Sequence, residues 1–180
     1  MKISLNDLKK NLWAGLKVNP LKVSKISWIP FLIYIPVSMA IGFGTGFFQL
    51  GVLKADVWRM VMLPLTMIIF PSLLEEAFFR GVLIPRNILI DRGWKGAAFA
   101  VVVSTFLFVV WHPVGALTIN PGAREIFMDW RFLMITTALG LACGFAYVIS
   151  RCLWVPVIIH WLTVLIWVFL LGGRNLVVSG

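Results

Sequence analysis

Charge is scarce in this 180-residue chain: Asp, Glu, Lys and Arg make up 13% of it, and only seven residues are acidic. The hydrophobic share of 61% and the mean hydropathy of +0.97 lie far above the ~45–50% apolar usage of soluble domains. An ordinary water-soluble globule is excluded. Cysteine is nearly absent, and Cys143 and Cys152 fall in or beside apolar runs at no metal-ligand spacing, so both read as packing residues and not as a disulfide. Histidine is equally rare, with only His112 and His160. Internal repeats, low-complexity stretches and a soluble domain are missing as well. The net charge of +9 is carried at the ends of apolar runs and in short connections, not along one stripe. That pattern belongs to a membrane protein, and no nucleic-acid partner is expected.

What the chain does have is apolar runs of membrane-crossing length. Residues 1–25 carry six lysines against one Asp, with Leu5, Leu8, Leu12, Trp13 and Leu16 spaced at about three and four, the pattern of an amphipathic helix on an anionic lipid surface. No short apolar core followed by a small-residue cleavage site precedes Ile26, so the segment is expected to be retained. Residues 26–172 read as an all-α, polytopic transmembrane bundle, and 173–180 as a short tail. Five to six spans are expected, the five clearest at about 26–50, 60–84, 94–112, 132–150 and 152–171, each near the ~20 residues that cross the hydrocarbon core. A polar turn at 51–59 and a turn-rich connection at 114–131 separate them. Gly140, Ala142, Gly144 and Ala146 offer a helix-packing face in the fourth. Most of the Lys and Arg fall on the amino-terminal side of this topology, which places the amino terminus of a multi-pass cell-membrane protein in the cytoplasm.

Three charges lie inside the second span, in Leu73-Leu-Glu75-Glu76-Ala-Phe-Phe-Arg80. An ionisable group at that depth costs roughly 2.5–3.5 kcal/mol on insertion scales, so it normally has a partner and a function. Glu76 and Arg80 are four apart and stack on one helical face as an ion pair. Glu75 lies about 100° away and has no local partner, so it points into whatever the neighbouring helices build. Both histidines are also in apolar spans, His112 four residues after Phe108 and His160 in the last span. One carboxylate and two imidazoles can hold and deprotonate a water, polarise a carbonyl and protonate a leaving amine. A proton-coupled carrier built on Glu75 is the competing use of intramembrane charge, though it leaves the paired histidines unexplained.

Glu75-Glu76-x-x-x-Arg80, then Phe108-x-x-x-His112, then His160 two spans later resembles the CPBP family of CAAX-protease and bacteriocin-processing proteins, also described as ABI or Rce1-like glutamic-type intramembrane proteases. The resemblance covers roughly residues 60–172. It implies an intramembrane endopeptidase acting on a membrane-associated protein or peptide, in maturation or sorting of membrane-anchored proteins. In it Glu75 is general base on the water, His112 helps hold the water, His160 binds the oxyanion, and Glu76, Arg80 and Phe108 support them. It implies a metal-independent reaction and no cofactor. Zinc is the competing reading of two histidines and a glutamate, but no H-E-x-x-H spacing is present. The family's polar residue four after the last histidine is here Val164, and loss of one oxyanion donor typically costs about 10²–10³ in rate. Thr163, adjacent but about 100° away, or Thr105, two turns before His112 and better placed to face the site, could substitute. With Val164 apolar, the resemblance also admits a weak or inactive member serving bacteriocin self-immunity or membrane scaffolding.

Overall fold

A computed structural model describes residues 5–173, in which seven helices and no β-strands are found. Four are long and apolar enough to span a bilayer, as the sequence predicts for a polytopic bundle. They are α2 (Ile29–Gly44, extended by a 3₁₀ turn from Lys25), α3 (Val57–Val82), α4 (Ile88–Thr118) and α6 (Trp130–Ser150). A shorter apolar helix, α7 (Trp154–Leu170), completes the bundle. Two small helices lie outside it, α1 (Leu5–Lys17) and α5 (Arg124–Phe127). Arg174 and the rest of the tail lie outside the described residues.

The small-residue face expected in α6 is the centre of the packing. A side chain at Gly140 would meet Thr105 Cγ2 at 2.7 Å and Phe108 at 3.3 Å, and one at Gly144 would meet Val101 Cγ1 at 2.7 Å. Bare backbone at both positions lets α4 approach α6 closely. The register of α4 against α3 is set by Ser104, whose hydroxyl donates to Phe79 O at 2.6 Å. This level matters because, at 1.5 Å per residue, His112 lies about 25 Å along its span from the basic end, against about 15 Å for Glu75 and about 13 Å for His160. The length to His112 is counted from just past a break near the start of α4. The helix is broken at Gly93, in its second turn, where φ is +61° and the backbone leaves the helix, so the continuous span begins beyond that point.

The helices begin and end for local reasons. Asp56 caps α3 by accepting from Arg59 N at 2.9 Å, and Asp129 caps α6 by accepting from Arg131 N at 2.8 Å. The first span is shorter than expected, ending at Gly44 and not near Leu50, and the connection to α3 is more than a polar turn. Residues 45–56 run back across the bundle end, where the amides of Gln49, Gly51 and Leu53 donate to the carbonyls of Leu171, Leu170 and Phe169. Those are the carbonyls that the end of a helix leaves without partners. At the other end of α7, Leu153 N and the Trp154 indole donate to Gly15 O and Leu16 O, the last-turn carbonyls of α1. The apolar face of α1 therefore lies on protein as well as toward lipid, with Leu12 against Gly81 of α3. Cys143 and Cys152 are buried free thiols, as packing residues should be.

Gly144→Ala is expected to lower the thermal unfolding midpoint in detergent, by about 1–3 kcal/mol of overpacking against the stiff Val101 side chain. Gly44→Ala, where a side chain meets nothing within 4 Å, should leave the midpoint unchanged.

Candidate functional site

The site begins with the irregular course of α3. Phe70 has extended dihedrals (φ −129°, ψ 119°) just before Pro71, so the helix breaks there and restarts. Proline at this point removes an amide donor and clashes with the preceding turn, a common cause of such breaks. Beyond the regular turn Leu74–Glu76, the stretch Ala77–Val82 is π-helical, with Leu83 N donating to Phe78 O at 3.2 Å. Wide turns of this kind are found often at functional sites. Between the two irregularities stand Glu75 and Glu76.

Glu76 and Arg80 form the ion pair their spacing predicts, Oε2 to Nε at 3.0 Å, and neither side chain is exposed. The guanidinium has two further contacts, donating from Nη2 to Gly140 O at 3.1 Å and lying 4.5 Å over the Phe108 ring. The pair is not self-contained, as i,i+4 spacing alone suggests it should be. Glu76 Oε1 also accepts from His160 Nδ1 at 2.9 Å, so the last-span histidine is held by the carboxylate that also pairs with Arg80. The opposite edge of the same ring faces Glu75, Nε2 to Oε2 at 3.9 Å. That is beyond hydrogen-bond reach, and Glu75 Oε2 is buried without a partner. Glu75 is the carboxylate left over.

His112 also packs on Phe108. Its Nδ1 lies 2.9 Å from Phe108 O, and since a carbonyl can only accept, Nδ1 carries the proton and Nε2 presents a lone pair in the neutral ring. Phe108 is fully buried and touches His112 edge-to-face at 5.0 Å, His160 at 5.7 Å and Phe79 at 5.2 Å, so one ring packs on both imidazoles. Phe127 of α5 and Phe132 of α6 close on His112 from the far side at 5.2 and 5.3 Å. Sequence spacing brought these two phenylalanines to no notice, because α5 approaches His112 only through the course of the connecting loop.

Neither Val164 nor Thr163 offers a free donor. Val164 packs in an apolar cluster with Leu63, Met67 and Val168, and the Thr163 hydroxyl bonds back to Ile159 O at 2.9 Å. Thr105, expected at the site, is buried against Gly140, the residue whose carbonyl accepts from Arg80. Its hydroxyl lacks a partner. Among the described residues, no three His, Cys, Asp or Glu side chains are grouped so as to hold a metal ion.

Fold and site together define a multi-pass membrane protein with a buried cluster of two carboxylates, two imidazoles and one guanidinium. Residues 57–166 match the family model for the Rce1-like, type II CAAX prenyl endopeptidases, and the chain belongs to that family. The matched stretch holds every residue of the cluster, and family membership places the protein among the membrane proteases. No curated protein and no solved structure matches the chain.

Because Glu76 accepts from both Arg80 and His160, Arg80→Met is expected to strand a buried carboxylate and destabilise the fold by about 3–5 kcal/mol. Chemical denaturation in mixed micelles would measure it, and a loss below ~1 kcal/mol would show that the pair is dispensable to the fold.

Proposed function

We propose that this chain is a glutamate-and-histidine intramembrane endopeptidase that cuts a membrane-associated protein or peptide, in the maturation or sorting of membrane-anchored proteins. The observation that carries this reading is Glu75: a buried carboxylate oxygen without a hydrogen-bond partner, facing a histidine whose other nitrogen is already engaged. A group so placed costs stability and serves where something else completes it.

Glu75 takes a proton from a water whose oxygen attacks the scissile carbonyl carbon, while His112 Nε2 accepts the water's other hydrogen and fixes its direction. The carbonyl π pair moves to oxygen, and His160 faces that oxygen. With Nδ1–H donated to Glu76, His160 offers a second N–H at Nε2 only as an imidazolium. In that state Glu75 and Glu76 balance Arg80 and His160, so the cluster is neutral as a whole, which lowers the cost of burying it. Collapse of the tetrahedral species re-forms the carbonyl and breaks the C–N bond, and Glu75 returns its proton to the leaving amine. Glu76, Arg80 and Phe108 position the two histidines. No metal takes part, and the amino terminus lies in the cytoplasm with the basic connections.

Val164 favours a second reading, a catalytically silent relative that acts by binding alone. One comparison separates the two. New protein amino termini are collected from membranes of cells expressing wild-type protein or Glu75→Gln at matched levels. Termini present with the wild type and lost in the variant are expected, and an unchanged set of termini would leave only the binding role. Expression of the wild type in the presence of a zinc chelator should still yield those termini. Their loss, with recovery on adding zinc, would replace the metal-free mechanism.

A further inference from the structure

Serine and threonine hydroxyls inside membrane helices are expensive unless bonded, and they usually turn back to a carbonyl of the preceding turn. Thr118, Thr137 and Thr163 do so here, to Val114, Leu133 and Ile159 at 2.7–2.9 Å. Ser72 does not. Its side chain is completely buried and its Oγ has no hydrogen-bond partner. The cause is local: the carbonyl four residues earlier belongs to Ile68, on the far side of the break at Phe70. The break frees one hydroxyl within the turn that leads into the glutamates.

The direction of that hydroxyl is set by the helix. Ser72 precedes Glu75 by three residues and Glu76 by four, and the intervening residues are helical, so it lies between the two glutamates in projection, within about 60° of each. Glu76 is bonded to His160, the Trp161 indole donates to Pro64 O at 2.9 Å, and Val164 packs with Leu63 and Met67. The two helices thus run antiparallel. The turn bearing Ser72 lies opposite the turn of α7 between His160 and Val164, whose own donors, the Trp161 indole and the Thr163 hydroxyl, are already bonded to Pro64 O and Ile159 O.

Resting on the endopeptidase reading, we propose that Ser72 is a catalytic residue, the second donor to the substrate's carbonyl oxygen. Its O–H and His160 Nε2–H together receive the electron pair that the attacking water displaces onto oxygen. The substrate approaches from the side of Glu75, the more exposed of the two glutamates. An unpaired hydroxyl is what such a site requires before substrate arrives, since a donor already bonded within the protein would have to be released first.

The test measures how fast the Glu75-dependent termini appear after expression of each variant is induced to matched levels. Ser72→Ala is expected to give the same termini about 10²-fold more slowly, with a thermal midpoint no lower than wild type, because an unbonded buried hydroxyl is being removed. Ser72→Thr should retain most of the rate. Val164→Asn, which places an amide one turn after His160, should recover at least tenfold in the Ser72→Ala background. Wild-type rates in Ser72→Ala overturn the inference and leave the endopeptidase reading standing. So does a slow Ser72→Ala whose midpoint has dropped and which Val164→Asn fails to rescue. If no termini depend on Glu75, the endopeptidase reading itself fails, and this inference falls with it.

Discussion

The buried contact of Glu76 with Arg80 and His160 is the constraint on which the rest of the structure depends. Three ionisable side chains share one apolar interior, and each alone would be costly there. Together they tie α3 to α7 through His160 and to α6 through Gly140 O, while Phe108 of α4 lies against the guanidinium. Four of the bundle's helices are thus bound to one charge cluster. The close approach of α4 and α6 at Gly140 and Gly144 is the apolar counterpart of the same arrangement: without it Phe108 could not reach Arg80.

The irregularities of α3 complement this rigidity. The break at Phe70 and the π-helical turns after Glu76 flank the glutamates, so the two carboxylates stand on a short regular turn whose neighbours on both sides are unwound. A continuous helix would spend its polar groups on itself. Here Ser72 Oγ and Glu75 Oε2 stand without partners, one just before the short turn and one on it, in an interior where the Thr105 and Tyr147 hydroxyls are unbonded as well.

The sequence shows much of this because the chemistry of a membrane interior is severe. Few residues there can be charged, so Glu75, Glu76, Arg80, His112 and His160 stand out without help, and the i,i+4 spacing correctly pairs Glu76 with Arg80. The same argument finds the spans and the glycine face of α6. It does not find the sharing of Glu76 by His160, since spacing along one helix says nothing of which oxygen a second helix will reach. Nor does it locate Phe127 and Phe132 over His112, or the backward course of residues 45–56, because loop paths are set by what they meet at the bundle end.

The two captured ends of α7 bear on the bilayer itself. With 17 residues the helix is about 26 Å long, short of a hydrocarbon core of about 30 Å. Its ends cannot slide outward to meet the headgroups, because one is bonded to α1 and the other to the segment 49–53. The mismatch is then met by the lipid, through local thinning around α7. His160 sits on this helix, so the histidine of the site lies closer to water than its place in an apolar span suggests, and a substrate segment leaving the membrane has less hydrocarbon to cross.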